Sequence, residues 1–406
     1  MSRRLQILIV SPYLPVPANS GSAIRLQHIV RGLAETETVD LVGLDMAGPS
    51  SSQEYAALDS VCRDLVAVSW RKVPKWRQIA GIARRLTRWE PIMTKYVEST
   101  ALAEKVRAMT AQRQYDIIAF EQTVAAVYRD AVSFGQQART VLSTHDIAFL
   151  QFRRMVAQAP WGLGKLILLL SWLPLRSWEP RMVRRCDCTL TVSEADKQVL
   201  LARAPGLNVE VVENGVDTKV HTPLSKPTRP QTMLLVGSMV YHPNIDAACF
   251  FSEEVFPLIR ARCPDAQLMI VGKSPPPRVC QLDEASGIEV HGDVADVVPF
   301  YEQATLSLAP LRAGGGTRLK ILESMALGRP VVATTTGAEG LRVSDGTHLL
   351  IADSAVALAD ACARLLSEPA SCSTIAAAAR ELVEREYDWS SIASRLRRLY
   401  RDLAAE

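Results

Sequence analysis

Short apolar runs of Val, Ile and Leu recur along this whole chain, and they do not alternate with polar residues. In the first half they occupy 7–10, 39–44, 65–69, 117–120, 140–142, 188–192 and 209–212. In the second half they occupy 233–236, 267–271, 288–291, 306–309, 331–334 and 349–351. A strand with one wet face alternates; a strand covered on both faces does not. Stretches with helical spacing separate the runs. The pattern restricts the fold to α/β units, with helices packed on both sides of parallel sheets.

A chain of 406 residues exceeds the size at which a single core usually stops growing, about 250–300 residues. Residues 220–230 hold three prolines among polar residues and show no periodicity, as an interdomain linker does. The expected organisation is a Rossmann-like domain over 1–219, the linker 220–230, and a second Rossmann-like domain over 231–386. The tail 387–406 places Ile392, Leu396 and Leu399 at helical spacing among Arg395, Arg397 and Arg398. It is expected to be a last helix able to cross back to the first domain.

One segment carries chemistry. Gly314-Gly315-Gly316-Thr317-Arg318-Leu319-Lys320-Ile321-Leu322-Glu323 joins three glycines to two cations and then a carboxylate, at the head of an amphipathic helix. Glycines let backbone N–H groups approach an anion, and the first N–H groups of a helix point at the same spot. Arg318 offers a planar fork for phosphate oxygens and Lys320 a mobile point charge. Glu323 lies where a carboxylate could accept hydrogen bonds from vicinal hydroxyls. A diphosphate beside a ribose satisfies all three. The same residues also suit a surface loop with a solvated helix face. No Gly-Lys-Ser/Thr follows, so this is not a Walker loop.

The segment GGGTRLKILESMALGRPVVATTTGAEGL resembles the nucleotide-sugar site of the family 4 glycosyltransferases, retaining enzymes of the GT-B fold. The opening ILIVSPYLPVPANSGSAIRLQHIVRGLA, STHD at 143–146, VSEAD at 192–196, VENGVD at 212–217 and VGSMVYHPNIDA at 236–247 follow in the family's order. The resemblance covers about residues 5–400. It implies two Rossmann-like domains whose parallel sheets face each other across a cleft. It implies transfer of a sugar from a nucleotide-diphosphate sugar, with no further cofactor and no metal. The acceptor would be a glycan, a lipid-linked precursor or a small natural product.

Residue by residue, the resemblance assigns a contact with sugar or acceptor to His145, while the residues themselves suggest that Arg318 and Lys320 carry leaving-group charge. Donor binding falls to Gly21, Gly237, Gly314, Gly315, Gly316, Thr317, Glu323 and Val294, the last in a segment whose backbone reads the nucleobase. Arg25 would face the same cleft or the surface. Asp146 would cap a helix start, and Asp296 another. Two positions depart from the family. The first glutamate of its Glu-x7-Glu pattern is Gly315 here, and the usual Gly-Arg and Lys of the second domain are Gly237-Ser238 and Pro243. Arg318 and Lys320 would compensate for the missing cations. No Asp-x-Asp triplet appears where a metal would bridge phosphates.

Bulk properties add limits. With 46 basic and 43 acidic residues the net charge is +3, which gives no reason to expect nucleic acid. The eight cysteines show no CxxC spacing and read as buried thiols in a reducing compartment. The apolar run at 7–10 is short and lacks a cleavage site, so a first strand is expected rather than a signal peptide. No run reaches the ~18 apolar residues of a membrane span, and a cytoplasmic location is expected. Residues 70–89 mix seven Lys/Arg with three tryptophans, and residues 161–178 mix Leu/Ile with Trp161, Trp172 and Trp178. Both suit peripheral contact with an anionic membrane on its inner face. They equally suit a core helix and a solvated basic face. The other readings are a GT-B nucleotide-sugar-binding protein without turnover, a GT-B epimerase or a phosphorylase.

Overall fold

The structure, a computed structural model, describes residues 3–18, 20–46, 53–70, 85, 87–92, 98–158, 161–225, 229–313 and 319–406. The chain divides into two compact units, 1–213 with 392–406, and 214–391.

The first unit holds a seven-stranded sheet. Its strands are β1 (Gln6–Ser11), β2 (Thr38–Asp45), β3 (Asp64–Ser69), β4 (Ile117–Glu121), β5 (Arg139–Ser143), β6 (Cys188–Thr191) and β7 (Val209–Val211). They lie in the order β3-β2-β1-β4-β5-β6-β7, and every pair is parallel. The central strand β1 is fully buried from Ile7 to Val10. Leu8 and Val10 face one core with Val42, Ile118, Phe120 and Leu142.

The second unit holds six strands: β8 (Thr232–Val236), β9 (Gln267–Gly272), β10 (Ile288–Gly292), β11 (Leu306–Ala309), β12 (Val331–Ala333) and β13 (Leu350–Ile351). Their order is β10-β9-β8-β11-β12-β13, again all parallel. This is the doubly wound 3-2-1-4-5-6 arrangement. Met233 and Leu235 enter one core, while Leu234 enters another on the opposite face. Two buried faces are why these strands never alternate. All the apolar runs of the sequence are strands, with ends shifted by a residue or two.

The segment 220–230, expected as a linker, falls inside the second unit, which begins at Asn214. Val216 sits in that unit's core, and the Leu224 amide donates to the Leu327 carbonyl at 3.0 Å. The last helix, Trp389–Ala405, belongs from Ile392 onward to the first unit. Ile392, Leu396, Tyr400 and Leu403 are buried there. Arg401 reaches the buried Glu37 at 2.7 Å, and Arg397 reaches Glu35 at 3.1 Å. Ala393 packs so closely on the helix Gly21–Ala34 that a Cβ at Gly32 would stand 2.4 Å from the Ala393 Cβ.

Candidate functional site

In a doubly wound sheet the strand order reverses at one point, and ligands bind outside the carboxyl ends of the strands flanking it. In the second unit those strands are β8 and β11; in the first they are β1 and β4.

In the second unit, β8 ends at Val236 and the chain turns at Gly237, whose amide donates to the Val271 carbonyl at 3.0 Å. Next door, Gly272 passes so close that a Cβ there would lie 2.0 Å from the Gly237 carbonyl oxygen. A Cβ on Gly237 would lie 2.8 Å from the Asn244 side chain. Asn244, on the helix His242–Phe250, donates to the Ser238 carbonyl at 2.8 Å and accepts from Lys320 Nζ at 2.8 Å. Lys320 stands on the helix Leu319–Ala326, which follows β11. On the approach to that helix, Arg312 grips Asp246 with two bonds of 2.9 and 2.6 Å and stacks on Phe250 at 4.4 Å. Both sides of the glycine segment are thus fastened to the helix His242–Phe250. Gly314, Gly315, Gly316, Thr317 and Arg318 themselves lie outside the described residues.

Ile321, Leu322, Met325 and Ala326 bury one face of the helix Leu319–Ala326. Glu323 is partly buried. Burial pushes its carboxyl above the usual range, while His221 and then Lys320 oppose the shift. Val294 packs its side chain against the core that holds Leu234 and Tyr301, which leaves its backbone to define the loop. That loop is tied down: the Asp293 carboxylate accepts from the Ser274 amide at 2.9 Å, and its own amide donates to the Gly272 carbonyl at 3.0 Å. Asp296 accepts from the Val298 amide at 3.0 Å, at the start of the helix Val298–Gln303.

In the first unit, Gly21 opens the helix Gly21–Ala34, and the Ser20 side chain accepts from the Ala23 amide at 3.3 Å. His145 follows β5, and its Nε2 meets the Glu121 carboxylate at 2.7 Å at the end of β4. An ionised Glu121 can only accept, so Nε2 carries a proton. The His145 Nδ1 is buried, with no hydrogen-bond partner among the described residues. Gln122, next to Glu121, adopts a left-handed φ of 66°, a strained geometry for a residue with a side chain. Its Nε2 donates to the Tyr13 hydroxyl at 2.6 Å. Sequence reasoning missed Glu121 and Gln122; an acid directly after an apolar run was the available signal.

Two expectations are corrected. Arg25 faces neither cleft nor surface. It is 1% exposed, and its guanidinium donates to the Glu213 carbonyl at 2.8 Å and the Val212 carbonyl at 2.9 Å. It ties the helix Gly21–Ala34 to the chain leaving β7. Asp146 does not cap the helix Ala148–Gln158. The buried Glu179 does, accepting from the Phe149 amide at 2.9 Å and the Ala148 amide at 3.2 Å. Glu179 also accepts from the Thr123 hydroxyl at 3.0 Å. Burial pushes it up to about 7, and burial likewise raises Asp146 against the opposing charge of His145.

Most of the basic segment 70–89 lies outside the described residues. On the helix Leu163–Val183, Leu163, Leu166, Ile167 and Leu170 are exposed. Trp161 is 87% exposed, with Lys165 Nζ 4.6 Å above its ring. Among the described residues no helix is long and apolar enough to cross a membrane. None of their His, Cys, Asp and Glu side chains group as a metal site.

Known proteins align with this geometry. Residues 19–220 match the model of Glycosyltransferase Family 4, and residues 230–368 that of Glycosyl transferases group 1. The chain is 34% identical over 148 residues to a phosphatidyl-myo-inositol mannosyltransferase of Mycobacterium leprae. That match takes in 34% of this chain and 39% of the relative's length. Among solved structures, the sucrose-phosphate synthase of Thermosynechococcus elongatus has a TM-score of 0.71 at 19% identity, covering 98% of this chain and 99% of that one. Anabaena HepE in complex with UDP and glucose has a TM-score of 0.66 at 14% identity, covering 98% and 99%. The two doubly wound units are those of the GT-B fold, and the chain belongs to glycosyltransferase family 4.

Proposed function

We propose that this protein moves a sugar, with retention of configuration, from a nucleotide-diphosphate sugar to a glycan, a glycolipid precursor or a small natural product. The observation that carries the reading is the second unit's switch point. There the absence of side chains at Gly237 and Gly272 lets the turn after β8 pack closely on β9 and on Asn244, Lys320 is oriented by Asn244, and Glu323 sits one turn along. Glu323 would accept the ribose hydroxyls. Lys320, with Arg318, would hold the charge of the departing diphosphate without help from a metal; stabilising that charge is where such a transfer gains rate. HepE, whose fold this chain shares, is described in complex with UDP and glucose, which supports a nucleotide-sugar donor.

In the first unit, Glu121 would fix the His145 ring so that the imidazole meets a sugar hydroxyl in one orientation. The exposed face at Trp161, Leu163 and Ile167 suits shallow insertion into an anionic bilayer. On this reading the enzyme would work at the inner face of the cell membrane. Cosedimentation with phosphatidylglycerol vesicles, weakened by salt, is expected; no cosedimentation removes the membrane from the reading.

The test of the donor site is thermal stability with UDP, GDP, ADP and their sugars, since a ligand that binds only the folded state raises it. One nucleotide should stabilise the wild type and fail with Glu323→Ala. A wild type indifferent to all of them would refute the reading. A second reading, a binder without turnover, is favoured by Gly315 in place of the family's first glutamate. Nucleotide binding with no release of sugar to any acceptor or water would select it.

A further inference from the structure

The helices Ala148–Gln158 and Leu163–Val183 pack against each other as a hairpin. Its root is fixed beside His145. The Trp172 indole donates to the Phe149 carbonyl at 3.0 Å, and Glu179 accepts from the amides of Ala148 and Phe149. From that root the first helix runs 11 residues, about 16 Å. Leu163 opens the second helix at the far end, so His145 and the tip are separated by roughly this length.

The tip is apolar and uncovered. Residues 163–170 include six Leu or Ile, yet none of residues 161–173 is fully buried. Leu163, Leu166, Ile167 and Leu170 recur at helical spacing with 74%, 52%, 53% and 40% of their surface exposed. A helix this apolar belongs in a core or in lipid, and an exposed patch of this kind marks an interaction surface. Charge selects the occupant. The two helices carry five cations, Arg153, Arg154, Lys165, Arg176 and Arg181, while their one acid, Glu179, is buried. An anionic bilayer matches both the apolar stripe and the cations.

We propose that the acceptor is a lipid-anchored saccharide, whose lipid stays in the bilayer gripped by the hairpin tip while its sugar end reaches His145. The inference rests on the transfer reading above and selects one of its acceptor classes. With the tip in lipid, His145 stands off the surface by about the hairpin's length. A saccharide head on a lipid spans that gap, and docking confines enzyme and acceptor to one surface, which raises their effective concentration. A dissolved acceptor gains nothing from the arrangement. In the transfer, a saccharide hydroxyl oxygen bonds the donor's anomeric carbon as that carbon's bond to the diphosphate breaks. The hydroxyl proton leaves with the nucleoside diphosphate.

The experiment gives the full chain radiolabelled sugars of UDP, GDP and ADP, with either washed membrane vesicles or the soluble fraction of the cells that make the protein. Label should enter organic-extractable product from the membranes. Joint replacement Leu166→Asp and Ile167→Asp, both at exposed positions, should leave melting and stabilisation by nucleotide unchanged. It should lower transfer to the membranes about tenfold or more, the worth of the aliphatic burial lost. Label only in water-soluble product overturns the inference and leaves the donor site standing. So does a double variant that labels membranes at the wild-type rate. A dimer in gel filtration that the double variant dissociates also overturns it, since a second copy then covers the face. A chain stabilised by a nucleotide but labelling neither fraction fails the inference and the transfer reading together, and keeps the nucleotide site.

Discussion

Two glycines at the carboxyl ends of β8 and β9 do different work, and substitution should separate them. Gly272→Ala would drive a Cβ to 2.0 Å from the Gly237 carbonyl oxygen. Backbone must move, and a cost of about 3 kcal/mol or more is expected, read as a loss of melting temperature. Gly237→Ala meets the end of the Asn244 side chain at 2.8 Å, which can turn away. The fold should survive, while Lys320 loses the partner that aims it and nucleotide affinity falls about tenfold, the worth of one hydrogen bond to a charged group. Equal stability of the two variants would refute this division. Glu323 and Lys320 could be proposed from the sequence because glycines, cations and a carboxylate stand close together along one helix start. Glu121 could not. Its contact with His145 comes from the register that sets it beside Ser143, two residues before His145, and neighbours in space leave no mark in either stretch alone. Arg25 misled for the converse reason: a cation on an otherwise apolar helix face looks exposed until two backbone carbonyls come to it.

At the scale of elements, Glu179 makes the helix Ala148–Gln158 sensitive to pH. Its carboxyl lies at about 7 when folded, against an ordinary 4.5. The folded state therefore binds the proton more tightly. The stability it contributes is complete below about pH 4.5 and is lost as pH rises through about 7. The span is on the order of 3 kcal/mol. Wild-type melting should decline over that interval, and Glu179→Gln, permanently neutral, should flatten the decline; identical slopes would sink the claim. A second element-level prediction concerns the last helix. Gly32→Val should wedge it off the helix Gly21–Ala34, costing about 1–3 kcal/mol; unchanged melting would show that the contact yields. The strands were legible throughout because burial on both faces writes itself as unbroken Val/Ile/Leu runs. The cap of the helix Ala148–Gln158 was not, since its acceptor stands 30 residues downstream of Phe149. The start of the second unit was blurred because Leu224, which bonds to Leu327 in it, stands in a stretch whose prolines read as a linker.

For the molecule as a whole, the first unit is closed by the last residues of the chain. Ile392, Leu396, Tyr400 and Leu403 are all buried in it. At about 1.5–3 kcal/mol per buried side chain, their loss rivals the whole stability of a typical domain. A chain ending at Ser391 should lose cooperative melting of the first unit. The second unit should keep its rise in stability with nucleotide; survival of both transitions would contradict the assignment. The doubly wound plan was legible in the sequence, but the return of residues 392–406 to residues 1–213 was only permitted by it, since an amphipathic stripe does not name the face it will cover. The second unit also begins and ends at one place. Val216 and Asp388 pair as a β-bridge, with the Val216 amide on the Tyr387 carbonyl at 2.9 Å and the Trp389 amide on the Val216 carbonyl at 3.2 Å. A piece of chain whose two ends are stitched together is a cassette. With the donor site proposed above, exchanging residues 214–391 for those of a relative through two adjacent splices should carry donor preference with them.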